Sequence, residues 1–179
     1  MRWYNFGILV FIAFTGIVLQ ITVGQLLWFR TDVGWVGPEL LAAVAVFLAL
    51  YATNATDAAL SGWILGFTVD LTISGPGMGL LALLYAAGCL GIFRIREVFY
   101  REKILTRIVI GFVFCAFVYE LWTLYDVLVC RRASGGYFRP VLQAIGLAIY
   151  TALLTPLVCA VLGRLRRFLL PAPPIRQRR

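Results

Sequence analysis

The chain has 179 residues, of which 62% are hydrophobic and only 13% are charged, and its mean hydropathy is +0.93. Soluble domains carry about 25% charged residues, so this composition predicts a protein embedded largely in lipid. The formal net charge is +8, with no His and only 8 acidic residues, which excludes most zinc, haem and His-based catalytic sites. We therefore expect no enzymatic activity and no cofactor.

Six apolar segments approach the length of about 20 residues that a helix needs to cross a membrane. The predicted spans cover residues 5–29, 34–52, 58–73, 76–93, 108–130 and 140–163. The second span reaches normal length only by including residues 33–37, and a re-entrant hairpin is the alternative for the second and third. We expect an all-α, six-span bundle over residues 1–168, a basic linker over residues 94–107 and a disordered basic tail over residues 169–179.

The basic residues indicate the orientation of the predicted bundle. Twelve fall on the side of the two termini and four on the other side. Because Lys and Arg near span ends are retained in the cytoplasm, both termini are predicted to be cytoplasmic, with or without a re-entrant hairpin. The basic groups singled out on that side are Arg94, Arg96, Arg101, Lys103, Arg107, Arg164, Arg166 and Arg167. They suit binding to anionic lipid, but they do not form the basic patch with interleaved aromatics that binds nucleic acid.

A stripe of small residues runs along one face of the third span and ends in an acid. It consists of Ala58, Gly62, Gly66 and Asp70, and the break that follows contains Pro76 and Gly79. Small residues at this spacing let another helix approach closely, so we expect helix packing and partner docking here. We expect Gly66→Leu to weaken assembly with the partner but to leave insertion into the membrane intact. We expect the Asp70 carboxylate to cap the next helix at the amides of residues 77–79, and contact with a partner or ligand is the alternative.

Other polar groups lie within the predicted spans, where such groups are costly and are functional candidates. Glu120 is about twelve residues, or roughly 18 Å, from both ends of the fifth span, which predicts a position near mid-membrane. We expect it to be buried and satisfied, with protonation or a hydrated cavity as alternatives. Its candidate partners are Gln20, Tyr85, Thr151 and Thr155. Gln20, Thr151 and Thr155 also lie on small-residue faces that indicate contacts between helices.

Several strings in the sequence match a known pattern. They are Val18–Ile21, Gly37–Leu41, Gly62–Leu71 followed by Pro76 and Gly79, and Tyr150–Pro156 followed by Arg164–Arg167. The most specific is the Gly-x-x-x-Gly-x-x-x-Asp-Leu helix end at Gly62–Leu71, with a Ser/Gly turn and a Gly-led helix after it. On these residues the chain resembles the MreD family of bacterial rod shape-determining proteins over nearly its whole length.

The resemblance implies a non-catalytic, multi-pass protein of the bacterial inner membrane with a fold similar to the substrate-binding subunits of vitamin-uptake (ECF-type) transporters. It implies binding to the bitopic MreC and, through it, to the MreB filament, the RodA glycosyltransferase and a penicillin-binding transpeptidase that build side-wall peptidoglycan. The alternative is a small-molecule binding subunit of a transporter, in which Gln20, Asp70 and Glu120 would line a ligand pocket open to the outside.

Overall fold

The computed structural model describes residues 14–24, 26–31, 34–72, 79–96, 104–129 and 138–169, with backbone only at residues 23, 24, 31, 34, 35 and 165–169. The described chain is mostly helical, as the composition predicts. Helix α1 covers residues 14–24, and its last five residues, Gln20–Gly24, are π-helical. The elements that follow are β1 (Phe29–Thr31), β2 (Gly34–Val36), α2 (Leu40–Tyr51), α3 (Ala55–Thr72), α4 (Leu80–Ile95), α5 (Ile104–Leu128) and α6 (Phe138–Leu169).

A short antiparallel hairpin stands where the end of the first predicted span and the start of the second were expected to be helical. Its two strands pair Phe29 with Val36 and Thr31 with Gly34. Aromatic and β-branched residues around this point favour extended backbone, and the residue before Pro38 is biased away from helix. The prediction of a helix over residues 34–52 is therefore wrong at its start, since α2 begins only at Leu40, but it agrees with the end of α2 at Tyr51.

Helices α3 to α6 lie close to the third to sixth predicted spans, with ends that differ by a few residues. Among the described residues, two helical stretches are long and apolar enough to cross a membrane, Ile104–Leu128 and Phe138–Arg164, while α2 and α4 are apolar but shorter. At about 1.5 Å per residue, the 12 residues of α2 extend roughly 18 Å. Helix α2 alone is thus too short to cross a hydrocarbon core of about 30 Å.

The core of the bundle is built around α2. Helix α3 packs mainly on α4, α5 packs mainly on α6, and α2 contacts all four. Most of its residues are buried, from Leu41 to Leu50. A helix that is apolar on every side is buried either in a protein core or in lipid, and here the neighbouring helices cover α2, so it needs no polar face. The outward sides of α5 and α6 are apolar as well, and they are exposed.

Candidate functional site

The small-residue stripe of α3 is in contact with α4 of the same chain. A Cβ atom on Gly62 would lie 2.7 Å from the Tyr85 carbonyl oxygen, and one on Gly66 would lie 2.6 Å from the Leu81 carbonyl oxygen and 2.7 Å from the Ala82 Cα. These neighbours are backbone atoms, which cannot rotate away as a side chain can. The glycines therefore permit α3 and α4 to pack backbone against backbone, as small residues do in membrane helix pairs.

Asp70 closes this helix pair at its turn. Its Oδ2 atom accepts hydrogen bonds from the N–H groups of Gly79 and Ala82, each at 3.0 Å. The predicted cap is confirmed at Gly79, and it extends one turn further into α4. Gly79 has a φ of +95°, a conformation that favours glycine. The carboxylate is buried at the positive end of the α4 dipole, where a negative charge is stabilised.

These contacts correct one part of the prediction for the stripe. Ala58, Gly62, Gly66 and Asp70 are all buried, and the two glycines face α4 at distances that leave no space between the helices. The predicted helix packing is confirmed, but this face is occupied within the chain and cannot also receive a partner helix. Pro76 lies outside the described residues.

A second polar centre forms where the chain enters α2. Glu39 is the N-cap residue of α2, but its side chain makes no capping bond. Gln20 from α1 takes over that role, because its Oε1 atom accepts a hydrogen bond from the Leu40 N–H at 2.7 Å. The Gln20 Nε2 atom donates to the Pro38 carbonyl at 3.0 Å and lies 3.5 Å from Glu39 Oε2. Gln20 thus fixes the start of α2 with both ends of its amide.

The same centre reaches α4, α5 and α6. The Glu39 N–H donates to Thr151 Oγ1 at 3.0 Å, and the Tyr119 hydroxyl interacts with the Glu39 carboxyl group. The Tyr119 and Tyr85 hydroxyl oxygens are 3.2 Å apart. Tyr85, Tyr119 and Thr151 are buried, and buried polar groups are stable only when they are hydrogen-bonded. We call Gln20, Glu39, Tyr85, Tyr119 and Thr151 the Glu39 network, and it links five helices.

Thr151→Val tests whether the Glu39 network holds the bundle together. Valine has nearly the shape of threonine, but it leaves the Glu39 N–H without its acceptor, which costs about 1–3 kcal/mol. We expect the thermal midpoint of the detergent-purified protein to fall by about 3–8 °C. The matched control is Thr72→Val, because the Thr72 hydroxyl donates to the Val69 carbonyl of its own helix. An equal effect of the two variants would contradict this role.

Glu120 lies apart from both polar centres. It is partly exposed, and its Oε1 atom is buried with no hydrogen-bond partner among the described residues. The four candidate partners bond elsewhere: Gln20 to Pro38 and Leu40, Tyr85 to Tyr119, Thr151 to Glu39 and Thr155 to the Thr151 carbonyl. The prediction that Glu120 is buried and satisfied is therefore wrong. Gln20, Asp70 and Glu120 have separate surroundings and do not form the single pocket expected for a transporter subunit.

The sixth helix contacts α5 through the residues that the sequence indicates. Thr155 is fully buried, and a Cβ atom on Gly111 of α5 would lie 2.6 Å from its Oγ1 atom. Thr151, four residues earlier on the same face, is also buried and reaches the Glu39 N–H. The predicted role of Thr151 and Thr155 in helix contacts is confirmed.

Two of the predicted basic residues lie at the end of α2 opposite to Glu39. Arg96 donates to the Ala52 carbonyl, and its guanidinium carbon lies 3.8 Å from the centroid of the Phe93 ring. Arg107 Nη2 is 3.5 Å from the Tyr51 hydroxyl. Positive charge at a helix C-terminus is favourable, so these residues also stabilise the fold. Arg94 and Arg164 are exposed, the side chains of Arg166 and Arg167 are not described, and Arg101 and Lys103 lie outside the described residues.

Glu39 is the residue that the sequence analysis missed. The available signal was an acid directly before an apolar helix, where the helix dipole favours negative charge.

Within the described ranges, no group of three Cys, Asp or Glu side chains is placed to hold a metal ion. The chain matches no protein-family model, and neither the curated proteins nor the solved structures include a match to it.

Proposed function

We propose that the chain is a multi-pass protein of the bacterial inner membrane with six spans and both termini in the cytoplasm. The lengths and apolar character of α5 and α6 support this proposal. So do their exposed outer sides, which carry Val113, Phe117, Leu153 and Leu157. Soluble monomers rarely expose apolar patches of this kind, whereas lipid requires them. The short α2 is then a helix held inside the bundle by its neighbours, with the β-hairpin completing that part of the crossing.

Reporter fusions test the proposed topology. A fluorescent protein that folds only in the cytoplasm is expected to be active after Arg179, and alkaline phosphatase is expected to be active when fused within residues 130–137. The reason is the excess of basic residues on the side of the termini. Phosphatase activity at the C-terminus together with inactivity at residues 130–137 would contradict the orientation.

For the function, we propose a non-catalytic subunit of the cell-elongation complex, similar to MreD. It would bind an MreC-like bitopic protein and, through it, an MreB-like filament, a RodA-type glycosyltransferase and a penicillin-binding transpeptidase. The observation that carries the proposal is the α3–α4 hairpin. Its Gly62 and Gly66 contacts and its Asp70 cap at Gly79 give a structural reason for these four positions of the motif on which the resemblance rests. The exposed basic groups at the cytoplasmic end also suit anionic lipid.

A vitamin-type binding subunit of a transporter is the second candidate, and the Glu39 network favours it. Ligand sites commonly place a few polar groups inside an apolar surrounding, and this network gathers such groups from five helices. However, its members are hydrogen-bonded to one another. A ligand would have to replace those bonds to gain affinity, because unpaired buried groups are costly.

Affinity purification in mild detergent, followed by mass spectrometry of everything retained, separates the two candidates. We expect a bitopic membrane protein to be retained in a fixed ratio to the chain and no small molecule to be retained. An unrelated multi-span protein with the same tag is the control for detergent carry-over. Recovery of a bound vitamin without a protein partner would reverse the preference.

A further inference from the structure

One outward side of α5 carries a carboxyl group among exposed apolar residues. Val113, Phe117, Leu121 and Leu124 are exposed by 58%, 43%, 38% and 38%. Glu120 follows Phe117 by three residues and precedes Leu124 by four, so the three side chains lie on the same side of the helix. The opposite side of α5, which includes Phe114, Cys115 and Val118, is buried in the bundle. We call Val113, Phe117, Glu120, Leu121 and Leu124 the Glu120 face.

The Glu120 face lies at a depth where neither water nor headgroups are close, if α5 crosses the membrane as proposed above. Glu120 is 16 residues from Ile104 and 8 residues from Leu128, which corresponds to about 24 Å and about 12 Å along the helix. It is therefore about 6 Å from the middle of α5, inside a hydrocarbon core of about 30 Å. Ionisable groups are rare at this depth and normally point into a protein interior or a hydrated cavity.

The bundle does not satisfy this carboxyl group. Its Oε1 atom is buried and accepts no hydrogen bond from any residue in the described part of the chain. Among the described residues, Thr151 and Asp70 are engaged in the Glu39 network and in the cap of α4, and the buried Ser61 and Thr155 hydroxyls donate to carbonyls of their own helices. Lipid acyl chains have no hydrogen-bond donor to offer. No donor for this carboxyl group is thus found among the described residues, and the exposed part of the side chain can receive one from another molecule that reaches the same depth.

We propose that the Glu120 face binds a transmembrane helix of a partner protein, and that this helix donates a hydrogen bond to the Glu120 carboxyl group from a basic or amide side chain. A second copy of this chain fits less well, because a twofold contact through this face would bring Glu120 against Glu120, and two such groups can hydrogen-bond only if at least one of them is protonated. Val113, Phe117, Leu121 and Leu124 supply the apolar surface for packing around the hydrogen bond.

This inference rests on the proposed function, and it moves the partner site away from the glycine stripe. Gly62 and Gly66 already face α4, so the stripe has no free surface. The Glu120 face remains exposed. An acid within an apolar helix surface also selects its partner, because a helix without a donor at that depth leaves the carboxyl group unsatisfied.

Crosslinking in intact membranes tests the inference. A photoreactive amino acid at Leu121 is combined with Glu120→Leu, Glu120→Gln or the control Asp126→Leu, which removes another acid from the same helix. We expect Glu120→Leu to lower the crosslink yield about tenfold, because this factor corresponds to the loss of one interhelical hydrogen bond. Glu120→Gln keeps an acceptor oxygen and should stay within about threefold of the wild type. Asp126→Leu should leave the yield unchanged.

Mapping of the crosslink completes the test. The expected product joins Leu121 to a transmembrane helix with a basic or amide side chain at the matching depth, and replacement of that side chain by Leu should reproduce the Glu120→Leu loss. An undiminished yield in Glu120→Leu, a crosslink to a second copy, or a partner helix without a donor would overturn the inference and leave the proposed function standing. If the wild-type chain retains no membrane protein at all, the proposed function fails as well.

Discussion

Gly66→Leu is expected to disrupt the packing of α3 on α4 and to lower the yield of folded protein sharply. A Cβ atom alone would lie 2.6 Å from the Leu81 carbonyl oxygen and 2.8 Å from the Tyr85 Cβ atom, so the larger side chain cannot be accommodated without separating the helices. Overpacking costs about 1–3 kcal/mol when side chains can adjust. Here the obstacle is backbone, and we expect a loss of more than about 3 kcal/mol.

The measurement is the thermal midpoint and the monodisperse fraction of the detergent-purified protein. Gly91→Leu on α4 is the matched control, because a Cβ atom at Gly91 meets nothing within 4 Å. Gly66→Ala should give an intermediate loss. The account would be contradicted if Gly66→Leu and Gly91→Leu behaved alike. This expectation replaces the sequence-based one, in which the substitution affects partner assembly and leaves the chain itself intact.

Replacement of Asp70 by Leu is expected to cause the second largest loss of stability. Both hydrogen bonds of the cap end on the same oxygen atom, Oδ2, from the Gly79 and Ala82 N–H groups. Leucine leaves the buried Ala82 N–H and the partly buried Gly79 N–H without an acceptor, and a buried donor without an acceptor costs about 1–3 kcal/mol. Asparagine can place its carbonyl oxygen at the same point. It loses only the charge at the helix N-terminus, which contributes about 0.3–2 kcal/mol.

Stability, measured as the thermal midpoint in detergent, should therefore decrease from the wild type to Asp70→Asn and decrease further in Asp70→Leu. Asp57→Leu is the control on the same helix, because Asp57 accepts from Thr53 and Asn54 at the exposed start of α3. We expect its cost to be about 1 kcal/mol. An Asp70→Asn variant as unstable as Asp70→Leu would indicate that the charge, rather than the acceptor oxygen, is essential.

The local parts of the fold could be predicted from the sequence. The four-residue spacing of Ala58, Gly62 and Gly66 defines a helix face without knowledge of its partner, and the Gly-Pro break in the sequence predicts an end to the third span. Asp70 and Gly79 are only 9 residues apart, so the cap could be predicted from residues that are close in sequence. Helix existence and the glycine contacts follow from such short-range patterns.

The Glu39 network could not be predicted in this way. Glu39 and Thr151 are 112 residues apart, and Tyr85 and Tyr119 are 34 residues apart. Their meeting depends on how α2 is surrounded by the other helices, which no periodicity encodes. The prediction that the second helix begins at residue 34 was wrong for a related reason. Hydropathy cannot distinguish a helical segment from the short apolar strand β2, because both bury the same kinds of side chain.

Glu120 illustrates a further limit of sequence reasoning. Its depth within α5 follows from counting residues, but its direction depends on which side of the helix the bundle covers. That side is set by contacts of α5 with α4 and α6. An acid that seemed to belong to an interior network thus lies on an exposed apolar surface, and this change moves the proposed partner site from α3 to α5.

The interior and the exterior of the bundle therefore have different roles in this account. Inside, the Asp70 cap and the Glu39 network hold the start of α4 and the short α2 in place with hydrogen bonds that are made within the chain. Outside, the Glu120 face is the proposed site for another protein. Both features suit a subunit that organises an assembly and carries out no reaction itself.

Cell shape after depletion of the chain tests the central claim most directly. In the bacterium that encodes it, we expect rod-shaped cells to widen and become round as the protein is lost, and plasmid-borne wild-type chain to restore normal width. The Asp126→Leu variant should restore it as well, whereas Gly66→Leu should not. Cells that keep their normal width and length after complete depletion would contradict the account.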